Sequence, residues 1–396
     1  MLPFVRMLEY GNIKPAPAGV KQLVSTSNAI YIVMSDGRCF VRGVNTNYKL
    51  GLAQNSVAVD NRWLLMGTDV HTCYGASANT ILVKNDGTVL AYGVNFTTSA
   101  GGTYPISGTD ITSSFGLLDM RTCVDFIPSG NTAMILMPNG NLYGIGANSG
   151  YMYGNDTIPF QTQPYLMDTG VTAIERSRNI SSANFYIKNG TLMVNGDNST
   201  NYITGINTST IMRTYNPVTL PAGYVPEKIR CSGYSTHIIA RETSTNQLVL
   251  LYTGSNGPSS SGFYDRGAAT DLLQRTFTPV GLEYMNGRIG SSFLTTHRSP
   301  GTNIVFTPSK VYTCGLSNCI GRPNGGSAVN IWTFAEASVP SSYSGSVQGY
   351  CYLSEFVVTI FATTDKLYMS GTTQYLFKDV PILNSYNAFV EIDLPV

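Results

Sequence analysis

Charge is what this chain has least of. Only 12% of its 396 residues are Asp, Glu, Lys or Arg, about half the usual share of a soluble protein. The net charge is +1, and no basic run stands out. A nucleic-acid partner requires a basic stripe to neutralise phosphates, so no DNA or RNA binding is expected. Histidine is nearly absent: His71, His237 and His297 are the only three. No H-x-x-x-H or H-E-x-x-H pair offers zinc ligands. A Walker-type phosphate loop and a G-x-S-x-G elbow are also missing. No pair of carboxylates recurs as a glycosidase acid and base, and no loop collects enough of them for calcium. The expectation is no catalytic set, no metal and no cofactor.

Long hydrophobic runs are missing as well. The most apolar stretch, 355–362, is far too short to cross a bilayer as a helix. The N-terminus lacks the apolar core and cleavage site of a secretory signal. Membrane insertion is not expected, and synthesis in the cytoplasm is. Cysteine is odd in number and irregular in spacing: Cys39, Cys73, Cys123, Cys231, Cys314, Cys319 and Cys351, with no C-x-x-C. Buried free thiols are the simple reading, with a disulfide or metal site as the alternative.

What is abundant is turn and strand chemistry, with 40 Gly and 25 Tyr. One phrase recurs. A Ser-containing turn leads into a β-rich stretch, then an Asp-Gly or Asn-Gly turn, a second apolar stretch and Gly-x-Asn. The first four copies are SNAIYIVMSDGRCFVRGVN, SANTILVKNDGTVLAYGVN, SGNTAMILMPNGNLYGIGAN and SANFYIKNGTLMVNGDN. In each, the turn Gly and the terminal Gly stand six residues apart, as in Gly37 and Gly43. Asn-Gly and Asp-Gly between β-rich runs mark hairpins, because the turn needs positive φ. Three weaker copies follow. The terminal glycines are Gly43, Gly93, Gly146, Gly196, Gly254, Gly315 and Gly371, at steps of 50, 53, 50, 58, 61 and 56 residues.

A repeat of that length suits a four-stranded blade. The expected fold is all-β: one seven-bladed β-propeller over 1–396. Its hairpins fall near 27–45, 77–95, 129–148, 182–198, 235–256, 292–318 and 354–373. Ahead of each Ser turn lies a strand centred on Val or Ile, such as GVKQLV and GVTAIE. Ahead of most of those is one with Leu or Met, such as RWLLMGTD, FGLLDM, PYLMDTG and NPVTLPAG. The last residues, NAFVEIDLPV, match that strand with nothing after them. The chain then reads as ending half-way through a repeat. The segment 388–396 is expected to join the blade of Ile30 to Val41 and close the ring by strand sharing.

The phrase resembles the regulator-of-chromosome-condensation repeat, whose seven copies make a seven-bladed propeller. GVNTNYKLG keeps Gly43, Asn45, Leu50 and Gly51 at that family's spacing. GANSGYMYG keeps Gly146, Asn148 and Gly154, and His237 falls near the family's His. The resemblance implies a structural role for His237. The family's Trp before Gly is replaced by Arg42, Tyr92, Ile145 and Asn195. Its His is missing from most blades. Exchange-factor activity is therefore not carried over.

Tyrosines follow Gly-x-Asn: Tyr48, Tyr151, Tyr153 and Tyr202. Loops repeated in register share one face of a ring, so these four are candidates for a binding face. Packing between blades is the alternative. Low charge, a Ser/Thr/Asn/Gly/Tyr surface, free Cys and no secretion signal together fit a bacteriophage virion part. It would be a tail, neck or capsid-decorating adhesin, made in the host cytoplasm. Its partners would be other virion proteins, a host-surface receptor or a glycan. A cytosolic propeller that scaffolds or regulates a protein, and an enzyme or inhibitor with a site at the ring axis, are the other two readings.

Overall fold

The computed structural model describes residues 18–26, 28–52, 62–75, 78–99, 102–105, 107–177, 183–198, 203–231, 235–255, 273–279, 293–296, 302–306, 309–316, 319–322, 330–353, 358–371 and 385–395. They form seven sheets of four strands each, every sheet a meander of four consecutive strands. Pairing is antiparallel throughout. Among the described residues the helical content is three 3-10 turns, Thr46–Tyr48, Thr112–Phe115 and Ser149–Tyr151. None is long and apolar enough to cross a membrane. The seven blades make a β-propeller.

The first strand of each blade is the inner one: Val20–Ser25, Val70–Gly75, Asp125–Ser129, Val171–Arg176, Tyr224–Cys231, Phe293–Thr296 and Val347–Leu353. Inner strands meet from blade to blade, as Val20–Ser25 does with Val70–Gly75 and Val347–Leu353. The second strand of a blade is covered on both faces, so it reads as an unbroken apolar run rather than an alternating one. AIYIVM, Ala29–Met34, is buried at every residue, and so is VTIFAT, Val358–Thr363. Between blades two and three, Phe115 meets Phe126 edge-on at 6.0 Å. Between blades six and seven, Phe306 and Phe361 lie 5.0 Å apart. Each such side chain contributes about 1.5–3 kcal/mol by leaving water.

The hairpin turns come in two kinds. In blade four Asn189 and Gly190 both take positive φ, +51° and +72°, and Lys188 faces Thr191 across a two-residue turn. In blades one to three only the Gly does, Gly37, Gly87 and Gly140. There the Asp or Asn before it accepts a backbone N–H two residues on. Arg38 N donates to Asp36 Oδ1 (3.0 Å), Thr88 N to Asp86 (2.8 Å) and Asn141 N to Asn139 (3.0 Å). The loop is one residue longer, with the glycine absorbing the bulge.

The terminal glycines mark a second device. Gly43, Gly93, Gly146, Gly196, Gly254 and Gly371 all take φ between +87° and +144°. The pairing of the third strand with the outer strand slips in register just there, as at Gly146, Gly196, Gly254, Gly315 and Gly371. In blades three, four, five and seven a bulge that needs positive φ selects glycine.

Ring closure differs from the sequence expectation. The C-terminal strand, Ser385–Ile392, pairs with Leu367–Gly371 as the outer strand of blade seven. It does not enter the blade of Ile30 to Val41, which already holds four strands of its own, Val20–Ser25 to Leu64–Gly67. The Leu/Met strand of the repeat is the outer strand of the preceding blade, not the start of the next. A repeat period fixes spacing but not the point at which one sheet ends. FGLLDM is not a strand either. Blade two has a short outer strand, Thr109–Asp110, followed by the 3-10 turn Thr112–Phe115. Blades one and seven are joined by apolar packing instead. Val20, Leu23, Ile30 and Met34 meet Cys351, Val358, Ile360 and Met369. Val20 N donates to Thr364 O (2.5 Å) across the junction. Removing 388–396 is therefore expected to strip the buried Phe389 and Ile392 from blade seven. Amide exchange should then quicken first in 358–371, ahead of 29–43. Equal loosening of both segments would restore the shared-strand reading.

Candidate functional site

The meander sorts its connections to two faces. One face carries the tight hairpin turns and the short links from outer strand to next blade, as where Val70 N donates to Gly37 O (2.8 Å). The other carries the Ser turns and the loops that follow Gly-x-Asn. Charge is sorted the same way. The ion pairs Arg38–Asp36, Arg121–Asp119, Lys188–Asp168, Arg241–Glu227, Lys310–Glu336 and Lys366–Glu391 lie toward the turn face. Their arginine or lysine partners hold Asp36, Asp119, Asp168 and Glu391 below the usual carboxylate range against the opposing effect of burial. Toward the loop face among the described residues lie Arg213–Asp156 (2.5 Å) and Arg230–Glu175 (3.7 Å).

The Asn of Gly-x-Asn shapes each loop. Asn45 Nδ2 donates to Leu52 O (2.8 Å), while its Oδ1 accepts from Leu50 N (2.8 Å). Asn148 Nδ2 donates to Asn155 O (2.7 Å), and its Oδ1 accepts from Tyr153 N (3.1 Å). Asn198 does the same with Ile206 O (2.8 Å), Thr208 O and Thr204 N (3.2 Å). One side-chain amide, buried at Asn45 and Asn198 and half-buried at Asn148, thus satisfies backbone groups that would otherwise lack partners. Asn148→Ala is expected to lower stability by about 1–2 kcal/mol, read as a fall in the urea midpoint at unchanged slope. An unchanged midpoint would remove the loop-shaping role.

Blades one and three carry the same loop backbone. Asn47 and Gly150 take φ of +58° and +64°, and Tyr48 and Tyr151 both take +59°. A tyrosine in left-handed backbone costs about 1–2 kcal/mol, so the surroundings must hold it. Blade four holds Tyr151 with three donors to three consecutive carbonyls. Arg176 Nη2 donates to Ser149 O (2.8 Å), Asn184 Nδ2 to Gly150 O (2.9 Å) and Asn195 Nδ2 to Tyr151 O (2.5 Å). Asn184 and Asn195 face each other across the hairpin, with Asn184 Nδ2 also donating to Asn195 Oδ1 (2.9 Å). Asn195 occupies the position before the terminal Gly. The same position in blade seven, Ser370, accepts from Gly321 N of blade six (2.9 Å). In blades four and seven the residue before the terminal Gly is therefore a clamp on the neighbouring blade's loop.

The four sequence candidates part company here. Tyr48 and Tyr151 are half-buried at the loop tips. Arg213, 63% exposed, stacks over the Tyr151 ring at 5.5 Å while paired to Asp156. Tyr153 does not belong to the surface. It is 6% exposed, its OH donates to Gly146 O (2.9 Å), and its ring stands edge-on to Tyr165 at 5.6 Å. Burial raises its pKa well above that of a free phenol. Gly-x-Asn folds the loop back, so the residue five places after the Asn turns inward. Tyr202 lies outside the described residues, as do Asn256 and Asn318. Sequence reading missed Arg176, Asn184, Asn195 and Arg213; the position before each terminal Gly was the available signal.

His237 is a core residue. It is fully buried, stacked on Tyr252 at 6.4 Å between centroids, and burial pushes its pKa down to about 3. Arg176 is buried as well, and the loss of water lowers its pKa to about 10. All seven cysteines are free thiols.

No protein-family model matches the chain, and no curated protein matches it in sequence. Solved structures do match. Prp20p from Saccharomyces cerevisiae, described for its binding to Gsp1p and histones, aligns over 82% of this chain and 78% of its own at 11% identity, TM-score 0.61. The same yeast RCC1 (Prp20) bound to Kap60 covers 82% and 76% at 11% identity, TM-score 0.61. Human WBSCR16 covers 81% and 82% at 11% identity, TM-score 0.62. The chain thus has the fold of the regulator-of-chromosome-condensation propellers in strongly diverged form.

Proposed function

We propose that this chain is a non-enzymatic binding propeller that engages a protein partner through its loop face, and that it works as a structural or attachment component of a bacteriophage virion. The asymmetry of the two faces carries the reading. One face is closed by tight turns bearing solvated ion pairs. The other presents Tyr48 and Tyr151 at loop tips, the Tyr151 loop pinned by the adjacent blade, with Arg213 of the outer strand Ile211–Val218 stacked on Tyr151. Interface centres are poor in paired charges and rich in Tyr and Arg, and a pre-organised loop loses less entropy on docking. Prp20p, with the same fold, is a protein studied for its protein partners, which supports the protein-binding part. The virion part rests on composition: 12% charged residues, and a surface built from Ser, Thr, Asn, Gly and Tyr. The test is density-gradient sedimentation of particles from cells carrying this gene, with an antibody against the propeller. Co-sedimentation with particles that survives high salt is expected. Protein found wholly in the particle-free fraction would overturn the virion reading.

A further inference from the structure

A cavity lies outside the loop tips. It measures about 460 Å³ and sits at the rim between blades four and five. Its walls are the loop Gly205 to Thr208, the outer strand of blade four (Ile211–Val218) with Thr219, and Thr276 on the outer strand of blade five. That volume is in the range of small-molecule sites. We propose that it binds a neutral saccharide of one or two rings.

Three observations lead there. The lining holds amides and hydroxyls, Asn207, Thr208, Asn216, Thr219 and Thr276, and no charged side chain. A charged ligand would lose water there and gain no counter-charge. The side chains of Asn207, Thr219 and Thr276 make no hydrogen bond among the described residues, so their donors and acceptors are open to a ligand's hydroxyls. Ile206, Met212 and Pro217 supply apolar surface for the C–H faces of a sugar ring. Finally, the lip is rigid. Asn198 ties down Ile206 and Thr208, and Gly205, at φ +74°, lies so close to the Phe277 ring that a Cβ would sit 2.4 Å from it. A site fixed before the ligand arrives binds at lower entropic cost.

This deepens the binding reading by naming a second ligand class, and the two fail separately. Loss of co-sedimentation would remove the virion role and leave the cavity standing. Saturation-transfer NMR on the full chain, with methyl glycosides of glucose, galactose, mannose and N-acetylglucosamine as probes, tests the cavity. At least one is expected to receive transfer. Asn207→Ala alters an exposed residue and keeps the fold, and it should weaken that binding by up to about 10-fold, the worth of one hydrogen-bonded group. Thr276→Trp, which fills the cavity from blade five, should abolish it. No transfer to any of the four overturns the proposal. So does transfer unchanged in both variants, or stronger transfer to the methyl glycoside of N-acetylneuraminic acid, which is charged.

Discussion

Replacing Gly93 with valine is expected to cost on the order of 4 kcal/mol and to lower the thermal midpoint by many degrees. Two independent penalties meet at this position. The backbone holds φ +87°, and a Cβ there would lie 2.1 Å from Ala78 O and 3.0 Å from Asn79 Cα. The first penalty is conformational and falls on every residue but glycine, hardest on a β-branched one. The second is a collision with backbone, which cannot rotate aside. Gly93 also stands at the start of the loop after it, where Val94 N donates to Ala78 O (2.9 Å). Gly130 is the control. It has φ +59° but nothing within 4 Å of a Cβ, so Gly130→Ala should cost only about 1 kcal/mol. Thermal unfolding of both variants decides the matter. Equal shifts would mean that close approach at the terminal glycine has no energetic weight.

Acid should weaken the protein in a window set by His237. Burial lowers the folded-state pKa from 6.5 to about 3. Between these values the unfolded chain binds a proton that the native state refuses. Stability therefore falls as pH drops below about 6.5, and the loss is complete near pH 3. The full span corresponds to roughly 4–5 kcal/mol. Burial is the cause of the shift, with Arg230 and Tyr252 opposite His237 in the two flanking strands. Asp36, Asp86, Asp119, Asp168 and Glu391 have lowered values. Their stabilisation is present above the ordinary carboxylate range and disappears only below it. From pH 6.5 to 5 the histidine acts before them. His237→Phe keeps an aromatic ring against Tyr252 and should flatten urea midpoints over that interval. A variant with the same slope as the parent would place the acid sensitivity elsewhere.

The hairpins were legible because turns and bulges demand particular backbone, and few residues supply it. Gly37 and Gly43, six apart, mark both ends of a strand of fixed length, and the copies repeat the constraint. The phase of the blades was not legible. Ser385–Ile392 resembles the strand before Val70 and Val171 because it is the same element, an outer strand, and only its hydrogen bonds to Leu367–Gly371 reveal its own blade. The candidate site was legible in part. Tyr48 and Tyr151 stand at loop tips, as their place after Gly-x-Asn implies. Tyr153 is two residues further on, yet buried, because Asn148 captures its N–H and turns it inward. The clamp of Arg176, Asn184 and Asn195 joins residues of blade four to a loop of blade three, and of the three Asn195 alone carries a local mark, its place just before Gly196.

Cryo-electron microscopy of intact particles from cells carrying this gene tests the central claim most directly, because it reads both membership of the particle and orientation. The account predicts a seven-bladed disc bound to a neighbouring protein through the face of Tyr48, Tyr151 and Arg213, with the ion-paired turns of Asp36, Asp119 and Lys366 directed to solvent. Particles without the disc, or a disc seated on its turn face with the loop face uncovered, would contradict it.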